Sequence, residues 1–223
     1  MPLFYQQDIN EQTRLAIWKI AEPESFFLET VTLTKEITHP HKRLQHLAGR
    51  YLLRYLFPDF PTATIAIADT RKPFLPDEAY HFSISHCGDY AAAIVSKTQR
   101  VGIDVELLTP RVEKIKHKFL HPDELAMLHT SKADPITILT LLWSAKEAMF
   151  KWWGNGDVDF SEVLRIHELP ANGKGVINAS FIKQKVYPLL LHYSLFGNLT
   201  LVWTMEEQTN RGISNIQCPS EWC

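Results

Sequence analysis

The stretch VGIDVE at 101–106 sets two carboxylates, Asp104 and Glu106, two positions apart. In an extended segment residues i and i+2 share a face about 6 to 7 Å apart, so both charges lie over one patch. Val101, Ile103 and Val105 then turn to the opposite, core-facing side, and Gly102 leaves room for something to approach the backbone. Uncompensated, the two charges repel. One reading is a solvated strand face leading into a loop. The other is a hard cation between them, since Mg takes oxygen ligands at about 2.1 Å and keeps positions open for water and phosphate.

A third carboxylate comes from WSAKEAMFKWWG at 143–154. Trp143, Glu147 and Lys151 recur every fourth residue along the edge of a helix whose apolar stripe is Leu139, Leu142, Met149 and Trp153. Glu147 four residues before Lys151 also suits a plain surface pair. Lys146 and Lys151, however, lie among Trp143, Trp152, Trp153 and Phe150, where an idle charge is costly to desolvate, and cations held there point to an anionic ligand. Two more stretches are cationic in the same local way. RKPF at 71–74 puts Arg71 and Lys72 before a turn-fixing proline, and FSISHCGDY at 82–90 ends a strand in Ser85 and His86 before a glycine turn. The adjacent His86 and Cys87 raise a thiol-nucleophile reading, but neighbours on a strand face opposite ways and cannot readily share a proton.

These residues need a scaffold. HKRLQHLAGRYLLRYLF at 41–57 carries Leu44, Leu47, Tyr51 and Tyr55 at helical spacing and is followed by strand candidates near 62–67, 80–85 and 90–96. VGIDVE opens a second half. Its long helix is framed by Asp134 and Pro135 at the start and Gly154 at the end, with strand candidates at 160–167, 175–182, 187–196 and 199–205. The hairpins at 81–96 and 192–205 are weakly alike, which favours an α+β fold of two similar lobes over one continuous sheet. The expected division is 1–99 and 100–223, with the site in the cleft between.

Composition bounds the rest. The chain has 223 residues, 45% hydrophobic and 22% charged, with a formal net charge of -2, so no global positive field draws it to nucleic acid. No window approaches the roughly 18 apolar residues of a membrane span. Cys87, Cys218 and Cys223 lack CxxC spacing, against a disulfide framework or a zinc site. The expectation is a cytoplasmic chain with no nucleic-acid or membrane partner. A polar tail follows Glu206.

Taken in order, HLAGRYLLR, RKPF, FSISHCGDY, VGIDVE, FLHPDELAML and WSAKEAMFKWWG resemble the successive motifs of the Sfp-type 4'-phosphopantetheinyl transferases across most of 43–160. The resemblance implies two pseudo-symmetric α+β lobes, each a small, mostly antiparallel sheet packed with helices. Coenzyme A lies between them as substrate with Mg, or Mn, on its pyrophosphate, and the likeness is to monomeric members. It implies transfer of the 4'-phosphopantetheine arm to a serine of an acyl or peptidyl carrier protein, releasing adenosine 3',5'-bisphosphate. By motif, Asp104, Glu106 and Glu147 become the metal ligands and Glu147 the base for the serine. Lys151, Ser85 and His86 become contacts of the coenzyme's phosphates, while Arg50, Arg71 and Lys72 hold its 3'-phosphate and adenine end.

The chain departs from the pattern in three places. GNGDVDF has no Lys between its glycines, the position of Arg50 varies in the family, and the first half lacks a clear Lys pair, for which His39, His41, Lys42 and Arg43 are substitutes. Arg111, Lys114, Lys116 and Lys118 are either a solvated helix face or a docking patch for an acidic carrier. Two other functions use the same residues: a Mg-dependent phosphohydrolase with water as nucleophile, and a non-catalytic coenzyme A-binding regulator.

Overall fold

The computed structural model describes residues 2–33, 36–131, 133–171 and 173–206. The tail with Cys218 and Cys223 lies outside them. Strands β1 (Leu3–Asn10) and β2 (Thr13–Lys19) form a hairpin, followed by the short helix α1 (Glu24–Leu28) and the long helix α2 (Pro40–Leu56). Two short strands, β3 (Ala66–Ile67) and β4 (Pro73–Phe74), make a small hairpin of their own before β5 (His81–Cys87) and β6 (Tyr90–Ser96). After β7 (Val101–Leu107) come α3 (Arg111–Ile115), α4 (Pro122–Thr130) and α5 (Pro135–Trp153). The order ends with β8 (Leu164–Ile166), β9 (Lys174–Ile182), β10 (Val186–Phe196) and β11 (Leu199–Met205).

The fold is α+β with antiparallel sheets. One sheet runs β1-β2-β6-β5 and the other β7-β11-β10-β9-β8. Around each long helix the topology repeats. The strand before the helix pairs with the last strand of its set, which pairs with the one preceding it: β2-β6-β5 around α2, β7-β11-β10 around α5. The two weakly similar hairpins, β5-β6 and β10-β11, occupy corresponding places in that repeat.

Three apolar clusters hold this arrangement. Helix α2 buries Leu47, Ala48, Leu52, Leu53 and Leu56 on the first sheet, and α5 buries Leu139, Leu142, Ala145, Met149 and Trp152 on the second. Between the sheets, Leu15, Ile17 and Ile94 meet Val101, Ile103, Val105, Leu201 and Trp203. The odd residues of β7 therefore seal the junction between sheets, while its even residues face α5.

Several sequence expectations shift. Of the segment 62–67, Thr62–Thr64 is a 3-10 turn and only Ala66–Ile67 is strand, and of 160–167 only 164–166 is strand. Tyr51 and Tyr55 do not lie under α2; they stand at its edge against Trp18, with ring centroids 5.0 and 5.8 Å away. The hairpin at 3–19 was not anticipated, because its first strand is half-buried and carries Gln6, Gln7 and Asp8 in succession.

Candidate active site at the junction of the sheets

Helix α5 positions the acidic centre. Its start is fixed by Asp134, whose Oδ2 accepts from Thr137 N at 2.8 Å, and its end by Gly154 in the left-handed region, φ 76°. The helix lies directly on β7. A Cβ on Gly102 would stand 2.0 Å from Ala148 O and 2.7 Å from Trp152 N, so the absent side chain is what admits the helix. Two residues on, Asp104 is only 2% exposed rather than at the surface. Ser144 Oγ of the helix donates to its Oδ2 at 2.7 Å, and Ser85 Oγ of β5 donates to its Oδ1 at 2.7 Å. Lys151 Nζ donates to the same Oδ1 at 2.6 Å and to Ser85 Oγ at 2.9 Å.

Burial, and next the charge of Asp104, push the pKa of Glu106 up, while Cys87, Trp143 and Lys151 pull it the other way. Glu147 is pushed up to about 7 chiefly by burial; Lys151 opposes the shift and Asp104 and Glu106 add to it. The three carboxylates thus share one field, answered there by the ammonium of Lys151. Among the described residues no three of His, Cys, Asp or Glu are grouped closely enough to enclose an ion. Three hard oxygen acids facing one ammonium are donors of the kind a hard divalent cation takes, although they are not gathered around one point here.

Beside this centre lies a cationic cleft. A cavity of about 690 Å³ is lined by Gln45, His46, Arg50, Arg71 and His86. A second, of about 220 Å³, is lined by Thr70, Arg71, Lys72, Phe150, Lys151 and Gly154. Arg71, Pro73 and Ile84 border both, so the two adjoin. Arg50 is bonded to His46 at 3.0 Å, and burial lowers its pKa. Arg71 sits at the tip of the β3–β4 hairpin with φ 66°, a strained conformation for a residue with a Cβ.

That hairpin is fastened to the end of α5. Lys72 Nζ donates to Lys151 O at 2.6 Å, and Thr70 Oγ1 donates to Gly154 O at 3.0 Å. A Cβ on Gly154 would meet Lys72 at 2.5 Å, and one on Gly156 would meet Thr70 at 2.9 Å. The glycines of GNGDVDF therefore receive the β3–β4 hairpin.

Two family models match the chain: the 4'-phosphopantetheinyl transferase superfamily over residues 100–197 and the 4'-phosphopantetheinyl transferase N-terminal domain over residues 33–96. The chain belongs to the 4'-phosphopantetheinyl transferase superfamily. Among curated relatives, enterobactin synthase component D of Escherichia coli K12 is 35% identical over 113 residues, covering 49% of this chain and 54% of that protein. Enterobactin synthase component D of Salmonella austin is 33% identical over 111 residues, 49% of this chain and 47% of the relative. The 4'-phosphopantetheinyl transferase AcpT of Escherichia coli K12 is 28% identical over 127 residues, 51% and 59% respectively. The chain thus spans about half the length of the curated relatives it matches.

Within this transferase-family chain the site residues named from sequence fall into two groups. Asp104, Glu106, Glu147, Lys151 and Ser85 converge at the acidic centre, and Arg50, Arg71 and His86 line the larger cavity. Lys72 borders the smaller cavity, but its ammonium is engaged by the carbonyl of Lys151. Of the substitute cations, His41 pairs with Asp89 at 3.0 Å and Arg43 with Glu24 at 2.6 Å.

Lys146 corrects the sequence argument. It is fully buried and serves no ligand: its Nζ donates to Glu124 Oε2 and Phe119 O, both at 2.6 Å, and to Phe160 O at 2.9 Å. Cys87 is no nucleophile either, since burial and then its bond to Glu106 push the thiol up to about 12. Ser144 as a partner of Asp104 was missed; its place on the same helix three residues before Glu147 was the available signal. No helix among the described residues is long and apolar enough to cross a membrane.

Proposed function

We propose that this chain transfers the 4'-phosphopantetheine group from coenzyme A to a serine of an acyl or peptidyl carrier protein, releasing adenosine 3',5'-bisphosphate. One observation supports the reading: three carboxylates share one electrostatic field with Lys151, and Lys151 also borders a cavity with Arg71 and Lys72 that adjoins the one lined by Arg50 and His86. The unit 1–99 supplies most of the cationic wall and 100–223 the acids, with the coenzyme in the cleft between.

In this reading Asp104, Glu106 and Glu147 hold Mg or Mn, and the ion, when bound, neutralises charge on the diphosphate of the substrate. The chain's own groups do the rest. Arg50 and Arg71, without a carboxylate partner among the described residues, take the 3'-phosphate and adenine end, and Lys72 keeps the hairpin bearing Arg71 in place. His86 and Lys151 face the phosphates, where negative charge develops as the phosphoryl centre is attacked. Glu147 is the base in this reading and takes the proton from the carrier's serine hydroxyl. The serine oxygen then bonds to phosphorus as the bond to the bisphosphate leaving group breaks. Ser85 and Ser144 keep Asp104 oriented throughout.

The test separates transfer from hydrolysis. With coenzyme A, Mg and an apo carrier, adenosine 3',5'-bisphosphate should appear in step with modified carrier, and none should form when the carrier is omitted. Release of phosphopantetheine without any carrier contradicts the proposal.

A further inference from the structure

The β3–β4 hairpin has only two rungs, Ala66 with Phe74 and Ile67 with Pro73, and joins neither of the larger sheets. A two-stranded ribbon this short is not stable by itself. Its turn is closed by Arg71 N donating to Ala68 O at 2.8 Å and Ala68 N donating to Lys72 O at 2.9 Å. The turn holds Arg71 at φ 66°, a conformation that is costly for a residue with a Cβ. Contacts from outside the hairpin must therefore set where Arg71 stands.

Those contacts come from the end of α5. The last carbonyls of a helix have no helical partner and carry the negative end of its dipole. Lys72 Nζ donates to Lys151 O at 2.6 Å and Thr70 Oγ1 donates to Gly154 O at 3.0 Å, so the residues on either side of Arg71 both hold it to the helix. The fit is close. A Cβ on Gly156, φ 64°, would come within 2.9 Å of Thr70 Cγ2. Lys151 is thereby tied twice, through its carbonyl to the hairpin and through its ammonium to Asp104 at 2.6 Å. Arg71 borders both adjoining cavities and Lys151 the smaller, so this latch fixes the span between two cations of one cleft.

We infer that Thr70 is a positioning residue: its bond to Gly154 O, seated against the bare Gly156, latches the hairpin to α5 and sets the spacing of Arg71 from Lys151. That spacing suits a ligand whose phosphates lie apart, as the 3'-phosphate and the diphosphate of coenzyme A do. The inference rests on the reading of the cleft as the coenzyme's site, with Arg71 on the 3'-phosphate. The proton of the Thr70 hydroxyl is spent on the helix carbonyl, so the residue acts through Arg71. GNGDVDF, with Asn155 and no lysine between its first two glycines, then seats a hairpin that carries a cation in place of supplying one.

Calorimetric titration of the purified full chain with coenzyme A and with 3'-dephospho-coenzyme A tests this in wild type, Thr70→Val, Thr70→Ser and Gly156→Ala, with circular dichroism confirming each fold. Thr70 is exposed, so valine in its place leaves the core alone, and Gly156 borders neither cavity. Loss of one neutral hydrogen bond is worth about three- to tenfold in an equilibrium constant. Thr70→Val and Gly156→Ala should weaken coenzyme A binding by about that factor and leave the dephospho compound within about twofold of wild type. Thr70→Ser keeps the hydroxyl and should bind both ligands as wild type does. Equal weakening for both ligands in folded Thr70→Val, or none for either, overturns the positioning role alone. A wild-type chain with no preference for coenzyme A over the dephospho compound overturns the placing of Arg71 on the 3'-phosphate, and this role with it. A wild-type chain that binds neither overturns the reading of the cleft.

Discussion

Nζ of Lys151 stands 2.6 Å from Oδ1 of Asp104, tying the last turn of α5 to β7 where Glu106 and Glu147 share the field. A pair this close in a largely buried site is more than surface decoration, because the lysine is the cation that offsets three acids. Removing it should raise the ionisation cost of Glu106 and Glu147 together and strip a donor from the phosphates. Lys151→Met is expected to lower kcat by about 10²- to 10³-fold, the usual loss of one preorganised charge-stabilising donor, with the fold retained. Steady-state transfer rates check this, and a loss under about threefold contradicts it.

The raised acids make stability depend on pH. Glu147 ionises at about 7 in the folded chain against an ordinary 4.5, so between those values the folded state binds more protons than the unfolded state. Stability without metal should then fall as pH rises through this window, and Glu106 acts in the same sense. Added Mg replaces the protons, so its shift of Tm should be larger at pH 8 than at pH 5. Thermal melts with and without Mg decide the matter; equal shifts at both pH values count against it.

Gly102 carries a prediction about geometry. In Gly102→Ala the new methyl would press on backbone atoms of Ala148 and Trp152, which cannot rotate aside. Helix α5 must lift, carrying Ser144, Glu147 and Lys151 from Asp104. A stability loss of about 1 to 3 kcal/mol is expected from overpacking, with activity falling further than stability explains. Urea unfolding and transfer rates measure the two separately.

The buried Lys146–Glu124 pair predicts a purely structural defect. Glu124 also accepts from His121 N at 2.8 Å and Ile166 N at 2.7 Å, so it joins α4, α5 and β8. Glu124→Gln should cost about 3 to 5 kcal/mol by leaving the lysine's charge unpaired. Lys146→Met combined with Glu124→Leu should recover only part of that, because backbone partners of both side chains stay unsatisfied. Urea unfolding checks both, and a Glu124→Gln change below about 1 kcal/mol contradicts this account.

Much of this site was legible in the sequence, for physical reasons. The two-residue spacing of Asp104 and Glu106 fixes their shared face, and Asp134, Pro135 and Gly154 fix the ends of α5. What could not be read was what covers that face. The pattern of β7 suits a solvated strand as well as one roofed by a helix, and only the packing of α5 at Gly102 decides it. Lys146 misled for a related reason: a lysine among aromatics signals a buried charge, but its partner Glu124 lies 22 positions away, beyond helical spacing. Likewise the alternation of Ser83, Ser85 and Cys87 reads as an ordinary strand until β7 is seen against it.

The most direct test is the intact mass of an apo carrier protein incubated with coenzyme A, Mg and either the wild-type chain or Glu147→Gln. The account predicts a phosphopantetheine adduct with wild type and almost none with the folded variant, which lacks both a metal ligand and the base. Equal rates for the two, or no adduct with wild type on any carrier, would contradict it.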